Sequence, residues 1–252
     1  MTALSGMTAT SAPPSSIEQL LALAIRLVNA GQASHAQQLC EHARTQHPPH
    51  PAVLQLLARL QLAEGAFAQA GATIAQGLAL RPDHGPSLLL AGDVARAAGN
   101  LAQARAHHQR AVALMPGREE PLHALGLTLK AAGCAADAAH ALRQAVALAP
   151  AHGGAWFDLA LVLQDTGDFD GAADALAQVL RVSPPRAEVE VNLGIVLQEA
   201  GRMDEALRAY GRAYRLNEST FGRIAHALST APTGRLWLNL ETLREALRAA
   251  PG

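Results

Sequence analysis

Apolar residues along this chain follow a helical spacing, and the helical segments come in pairs that repeat every 34 residues. In the first segment the apolar residues fall at i, i+3, i+4 and i+7, namely at Leu20, Leu23, Ala24 and Leu27. This spacing places them on one face of an α-helix. A second helical segment runs from about His35 to Gln46, and Pro48 ends it. The pattern therefore predicts a tandem array of two-helix units.

Glycine and alanine keep the same period, with each alanine five residues after a glycine. The recurring residues are Gly31, Gly65, Gly99, Gly133, Gly167 and Gly201, followed by Ala36, Ala70, Ala104, Ala138, Ala172 and Ala206. Glycine takes the left-handed conformation after a helix without steric cost, so each glycine is expected to end a first helix. Ser15 and Glu18 form a candidate capping box before the first helix. Glu218 replaces the recurring proline in the sixth unit, so we expect its second helix to extend further.

The period divides most of the chain into six repeats, flanked by two other segments. The repeats are residues 17–50, 51–84, 85–118, 119–152, 153–186 and 187–220. We expect an all-α fold, a right-handed α-solenoid of helix-turn-helix repeats, preceded by a disordered tail at residues 1–16. Residues 221–252 are expected to form a partial seventh unit that ends at Pro232, followed by a capping helix. That helix would carry Leu236, Leu240, Leu243 and Leu247 on one stripe, with Trp237 either buried in the cap or exposed as an anchor.

The six units resemble the tetratricopeptide repeat. The fifth unit matches its pattern of large, small, turn and proline positions with Trp156, Leu159, Ala160, Leu163, Gly167, Ala172, Leu176, Val179 and Pro184. The sixth unit adds the run Asn192-Leu193-Gly194 and Tyr210. There are departures, since Cys40 and His108 occupy a position that is usually aromatic, and Glu190 one that is usually apolar. The resemblance implies a non-enzymatic scaffold for protein–protein interaction, which binds a partner peptide or helix in a concave groove.

In tetratricopeptide arrays, positions 5, 9 and 12 of each first helix line that groove. In the third to sixth repeats the predicted peptide-binding residues are Leu89, Arg96, His123, Leu127, Lys130, Phe157, Leu161, Gln164, Val191, Ile195 and Gln198. The first two repeats place Leu21, Ile25, Val28, Gln55, Arg59 and Leu62 at the same positions. Three of these residues, Arg59, Arg96 and Lys130, could bind a carboxylate or phosphate of the ligand. The alternative is that these side chains are buried against the second helices or are solvated.

The residues at the groove positions exclude one ligand mode of the family. The carboxylate clamp of chaperone-binding members is absent, because Leu21 and Ile25 stand where it needs Lys and Asn. An apolar patch remains possible, with an acidic rim that suits an amphipathic partner with basic flanks. The patch would consist of Phe157, Leu161, Val191 and Ile195, and the rim of Asp158, Asp165, Glu188 and Glu199.

Composition narrows the possible functions. The formal net charge is −1, so no overall field attracts nucleic acid or an acidic membrane. Neither Cys40 nor Cys134 has a CxxC partner, and the eleven histidines are scattered, so we expect no metal, no cofactor and no catalytic set. We find no secretory signal or membrane-spanning segment, and we expect a cytoplasmic protein.

Two alternatives to the scaffold function stay open: a self-assembling homo-oligomer, and a regulatory or targeting subunit of a separate enzyme.

Overall fold

The computed structural model describes residues 16–230 and 239–251. Within these ranges there are fourteen α-helices, one short 3-10 helix and no β-strand, which confirms the predicted all-α fold of tandem helix-turn-helix repeats. The chain divides into two compact units, residues 1–110 (unit 1) and residues 111–252 (unit 2). The first helices of the six repeats are α1 Ile17–Asn29, α3 Pro51–Ala63, α5 Gly85–Ala97, α7 Glu119–Ala131, α9 Gly153–Asp165 and α11 Ala187–Glu199. The second helices are α2 Ala33–Gln46, α4 Phe67–Leu80, α6 Leu101–Leu114, α8 Ala135–Leu148, α10 Phe169–Val182 and α12 Met203–Leu216.

A glycine in the left-handed conformation ends each first helix, as the sequence predicts. The six recurring glycines have φ between 73° and 80°. At the first of them, the N–H of Gly31 donates to Val28 O over 3.0 Å. The N–H of the next residue, Gln32, donates to Leu27 O over 2.8 Å. These bonds satisfy carbonyl groups that the end of the helix would otherwise leave unpaired.

Two predicted helix boundaries are wrong. The capping box at the start of α1 is formed by Ser16 and Gln19, one residue beyond the predicted Ser15 and Glu18. Position 15 lies outside the described residues. The second helix of the sixth repeat ends at Leu216 with the same length as the others, although Glu218 replaces the proline. A 3-10 helix over Glu218–Thr220 follows it.

Small residues at position 8 allow the two helices of a repeat to approach closely. Position 8 of each repeat lies on the first helix and faces position 24 of the same repeat, which lies on the second helix. In the sixth repeat, a Cβ added at Gly194 would lie closer than 3.0 Å to three carbon atoms of the Tyr210 ring. Gly92 and Gly126 face His108 and Leu142 at similarly short range. In these three repeats the partner side chain occupies the space that a Cβ would need, so packing, and not backbone conformation, favours glycine there.

The residues that depart from the family pattern are accommodated inside the repeats. Cys40 is buried, and burial raises the pKa of its thiol to about 11. His108 is fully buried, and its Nε2 lies 3.6 Å from the Asp93 carboxylate. Glu190 is buried and accepts a hydrogen bond of 2.8 Å from Nε of Arg212. Each polar departure thus has a partner within its own repeat, which is what burial of a polar group requires.

Unit 2 ends in a cap that is built from two shorter helices, α13 Phe221–Thr230 and α14 Leu240–Ala249. α14 packs mainly against α12 and buries Leu243 and Leu247, whereas Leu240 is 54% exposed. The guanidinium of Arg215 donates to the carbonyl oxygens of Leu247 and Ala250 at the end of α14. The predicted capping helix is therefore present, with a narrower buried stripe than expected. Pro232, Leu236 and Trp237 lie outside the described residues, as does the predicted disordered tail except for Ser16.

Candidate partner-binding surface

We use the name first-helix surface for positions 5, 9 and 12 of the first helices. Most of the predicted binding residues at these positions are half-buried, so parts of their side chains face solvent. These residues are Leu89, Arg96, His123, Leu127, Lys130, Phe157, Leu161, Gln164 and Ile195. Their role in partner binding is a prediction.

Two of the predicted binding residues, Val191 and Gln198 of the sixth repeat, are buried. The prediction that they lie on the surface is therefore wrong. The amide nitrogen of Gln198 donates to Ala227 O over 3.1 Å, and its amide oxygen accepts from the Tyr210 hydroxyl over 2.9 Å. Gln198 therefore fixes α13 onto the sixth repeat. α13 thereby contacts α11, as the first helix of an additional repeat would. The apolar patch predicted around Phe157 consequently lacks Val191.

One open part of the first-helix surface lies in unit 1. α1 and α3 form a depression there with a volume of about 350 Å³. Its largest exposed apolar side chain is Ile25, which is 46% exposed. The lining consists of Leu21, Ile25, Val28, Asn29, Ala52, Gln55, Leu56 and Arg59. Sequence reasoning found five of these residues. Asn29, Ala52 and Leu56 lie outside the assumed 5, 9 and 12 register, so only the helix packing could identify them.

The charged groups of unit 1 differ in whether the chain itself neutralises them. Arg96 donates to Oδ1 of Asp93 over 3.2 Å, and His108 Nε2 lies 3.6 Å from the same oxygen. Burial acts to raise the pKa of Asp93, but the hydrogen bonds and charges of His108 and Arg96 outweigh it and lower the pKa. Arg59 is exposed and forms no ion pair with another described residue. Arg59 is therefore available to a ligand, whereas Arg96 is occupied.

In unit 2, the predicted binding residue His123 is held by a neighbouring repeat. Its Nε2 lies 2.6 Å from the Asp158 carboxylate, and its ring contacts that of His152 edge to face at 5.1 Å between centroids. His152 in turn lies 3.8 Å from Glu119. Asp158, which the sequence analysis placed on an acidic rim, is therefore engaged by His123. Lys130 is half-exposed and has no ion-pair partner among the described residues of unit 2.

The second helices also border open space. In unit 1 a trough of about 930 Å³ runs between α4 and α6 over α5, and no charged residue lines it. In unit 2 the corresponding trough between α8 and α10 has a volume of about 480 Å³ and includes Arg143 and Asp174. The trough between α10 and α12 is reduced to about 160 Å³, with Arg202, Glu205, Arg208 and Arg212 in its lining. Long charged side chains can cover apolar helix surface in this way.

Neither a metal centre nor a membrane span emerges from the part of the chain that the structure describes. In residues 16–230 and 239–251, no three or more His, Cys, Asp or Glu side chains form a group that could hold a metal ion. None of the helices there is sufficiently long and apolar to cross a lipid bilayer.

Comparison with solved structures agrees with this fold. The chain is 19% identical to MamA from Desulfovibrio magneticus RS-1, with a TM-score of 0.60 over 66% of this chain and 93% of that one. It is 20% identical to YrrB, described as a TPR protein with an unusual peptide-binding site, with a TM-score of 0.61 over 71% and 91% of the two chains. For pilF of Pseudomonas aeruginosa the identity is 18% and the TM-score 0.68, over 80% and 91%. Similarity at this level of identity shows the fold alone.

Sequence comparison gives the family. No curated protein sequence matches the chain significantly. Two family models, both described as Tetratricopeptide repeat, match residues 27–91 and residues 123–184 and 157–222, which together make up more than half of the chain. Proteins built from this repeat typically mediate protein–protein interactions. The chain belongs to the tetratricopeptide repeat family.

Proposed function

We propose that this protein is a non-enzymatic scaffold that binds a segment of a partner protein on its first-helix surface. The observation that carries the proposal is the depression between α1 and α3, where Ile25 is 46% exposed beside Leu21 and Val28. Exposed apolar side chains that are grouped together commonly mark interaction sites. The surrounding amide and guanidinium groups give such a site the few polar contacts that orient a ligand.

The same surface in unit 2 supports the proposal less strongly. Phe157 and Ile195 are half-buried and pack partly against the core of that unit. Their exposed parts can extend a binding surface, but they cannot serve as isolated anchors. We therefore place the principal contact in unit 1, and the proposed residues of unit 2 in a secondary role.

A matched pair of substitutions tests the proposal. Ile25 on α1 and Leu80 at the end of α4 are equally exposed, at 46% and 47%. Peptides selected from a random library on the full chain serve as probes. We expect Ile25→Asp to weaken their binding by about 2 kcal/mol, the typical effect of losing a central apolar anchor. Leu80→Asp should leave the affinity unchanged, and equal effects of the two substitutions would argue against the first-helix surface.

A further inference from the structure

Unit 1 offers one free positive charge next to an apolar depression, and this combination indicates the chemistry of the partner. Arg59 lines the depression between α1 and α3 together with Leu21, Ile25 and Val28. Its guanidinium has no anionic partner among the described residues. No Asp or Glu lines the depression either, and Arg59 is the one charged residue in its lining.

Two groups at equivalent positions of the first-helix surface are paired within the chain, whereas Lys130 of unit 2 has no ion-pair partner among the described residues. Arg96 is paired with Asp93 in unit 1, and His123 with Asp158 in unit 2. The difference at Arg59 has a simple origin in the sequence, since the nearby residues of α1 and α3 that line the depression are apolar or amide-bearing. A guanidinium binds a carboxylate more strongly beside apolar surface than in open water, because the local dielectric constant is lower.

We propose that unit 1 recognises an apolar segment of a partner protein that carries an Asp or Glu carboxylate next to its aliphatic side chains. This inference rests on the proposed function and names the partner chemistry at the same surface. The aliphatic side chains contact Leu21, Ile25 and Val28, and the carboxylate pairs with Arg59. The side-chain amides of Asn29 and Gln55 lie in the same lining and can bind the backbone of the segment.

The positive charge of Arg59 favours a partner protein over the chain's own amino-terminal segment as the occupant of the depression. Residues 1–15 contain no Asp or Glu, so they cannot supply the carboxylate. If the partner were a second copy of the chain, the average molar mass would rise with protein concentration. The Arg59→Gln variant would then have a lower molar mass than the parent at the same concentration. Light scattering that gave this result without added peptide would overturn the choice of a partner segment.

The decisive experiment combines peptide selection with a double-mutant cycle. Peptides are selected from a random library on the full chain, and we expect Asp or Glu to be enriched beside aliphatic residues. For one selected peptide, binding is measured with its acid intact or changed to the amide, against the parent chain and the Arg59→Gln variant. Either single change should weaken binding by about ten- to hundredfold, the range for a charge-assisted hydrogen bond. The second change should then add little, since both remove the same contact.

The control is Arg26→Gln, which removes an exposed charge on α1 outside the lining of the depression. It should change neither the affinity nor the preference for an acidic peptide. Peptides that bind without enrichment of Asp or Glu, or a cycle in which the two changes are additive, would overturn this inference and leave the proposed function intact. Failure of every peptide to bind the parent chain would overturn both.

Discussion

Replacing Gly194 with alanine should destabilise unit 2, although alanine is the better helix former. Gly194 lies on α11, and the added Cβ would come closer than 3.0 Å to three carbon atoms of the Tyr210 ring. The ring cannot simply move away, because it is fully buried and its hydroxyl donates to Gln198 over 2.9 Å. Overpacking costs about 1–3 kcal/mol, and loss of the hydrogen bond costs about 1 kcal/mol more. Helix propensity returns only about 0.5–1 kcal/mol.

The net expectation is a loss of about 1–3 kcal/mol, or a melting temperature about 2–10 °C lower for a chain of this size. The matched control is Gly71→Ala in α4, where the nearest atom to the added Cβ is Val94 Cγ1 at 3.8 Å. That variant should be as stable as the parent or slightly more stable, since the contact is ordinary and the helix propensity improves. Thermal and urea unfolding, followed by circular dichroism at the helix band, measure both variants. A Gly194→Ala variant that unfolds with or above the parent would refute the packing argument.

Three further predictions follow from the burial of particular residues. Ala138→Leu or Ala172→Leu should lower stability by about 1–3 kcal/mol, because both alanines are completely buried between helices, and melts that match the parent would show that this packing is misjudged. Truncation after Leu228 should cause aggregation, since it removes α14 from the surface of α12, and a monomeric truncated chain in light scattering would contradict the role of the cap. The Cys40 thiol, whose pKa is raised to about 11 by burial, should resist a thiol reagent at pH 8 until the chain is unfolded. Half-exposed Cys134 should react in the folded chain, so a titration that finds two reactive thiols before unfolding would refute the assignment.

The sequence was sufficient to predict the repeats because their signals are local and are repeated six times. A turn glycine, a following alanine and the apolar spacing specify a helix pair without any contact between distant residues. Helix boundaries were less predictable where two neighbouring residues could both serve as the helix cap. At the start of α1, Ser15 and Ser16 are equivalent candidates, and only the position of the first turn selects Ser16.

The candidate binding surface was predicted less completely, because exposure depends on neighbouring helices. Gln198 and Val191 share the position pattern of Gln164 and Phe157, yet the two residues of the sixth repeat are buried. In the sixth repeat the Gln198 amide bonds to the Ala227 carbonyl of α13 and to the hydroxyl of Tyr210, at the position where the fifth repeat has Leu176. Similarly, the sequence offered Arg59 and Arg96 as equal candidates. Asp93, one turn before Arg96, could have indicated that Arg96 is paired and Arg59 is not, because charges three residues apart on a helix are neighbours.

The most direct test of the account is a photo-crosslink from the surface to a bound peptide. A benzophenone side chain is placed at Ile25 or, as the control, at Leu80, two positions with nearly equal exposure in unit 1. Each chain is irradiated with a peptide selected on the parent, and the adducts are mapped by mass spectrometry. The account predicts an adduct from position 25 that excess unlabelled peptide abolishes, and none from position 80. An adduct from position 80 without one from position 25 would contradict the claim that the partner binds on the first-helix surface.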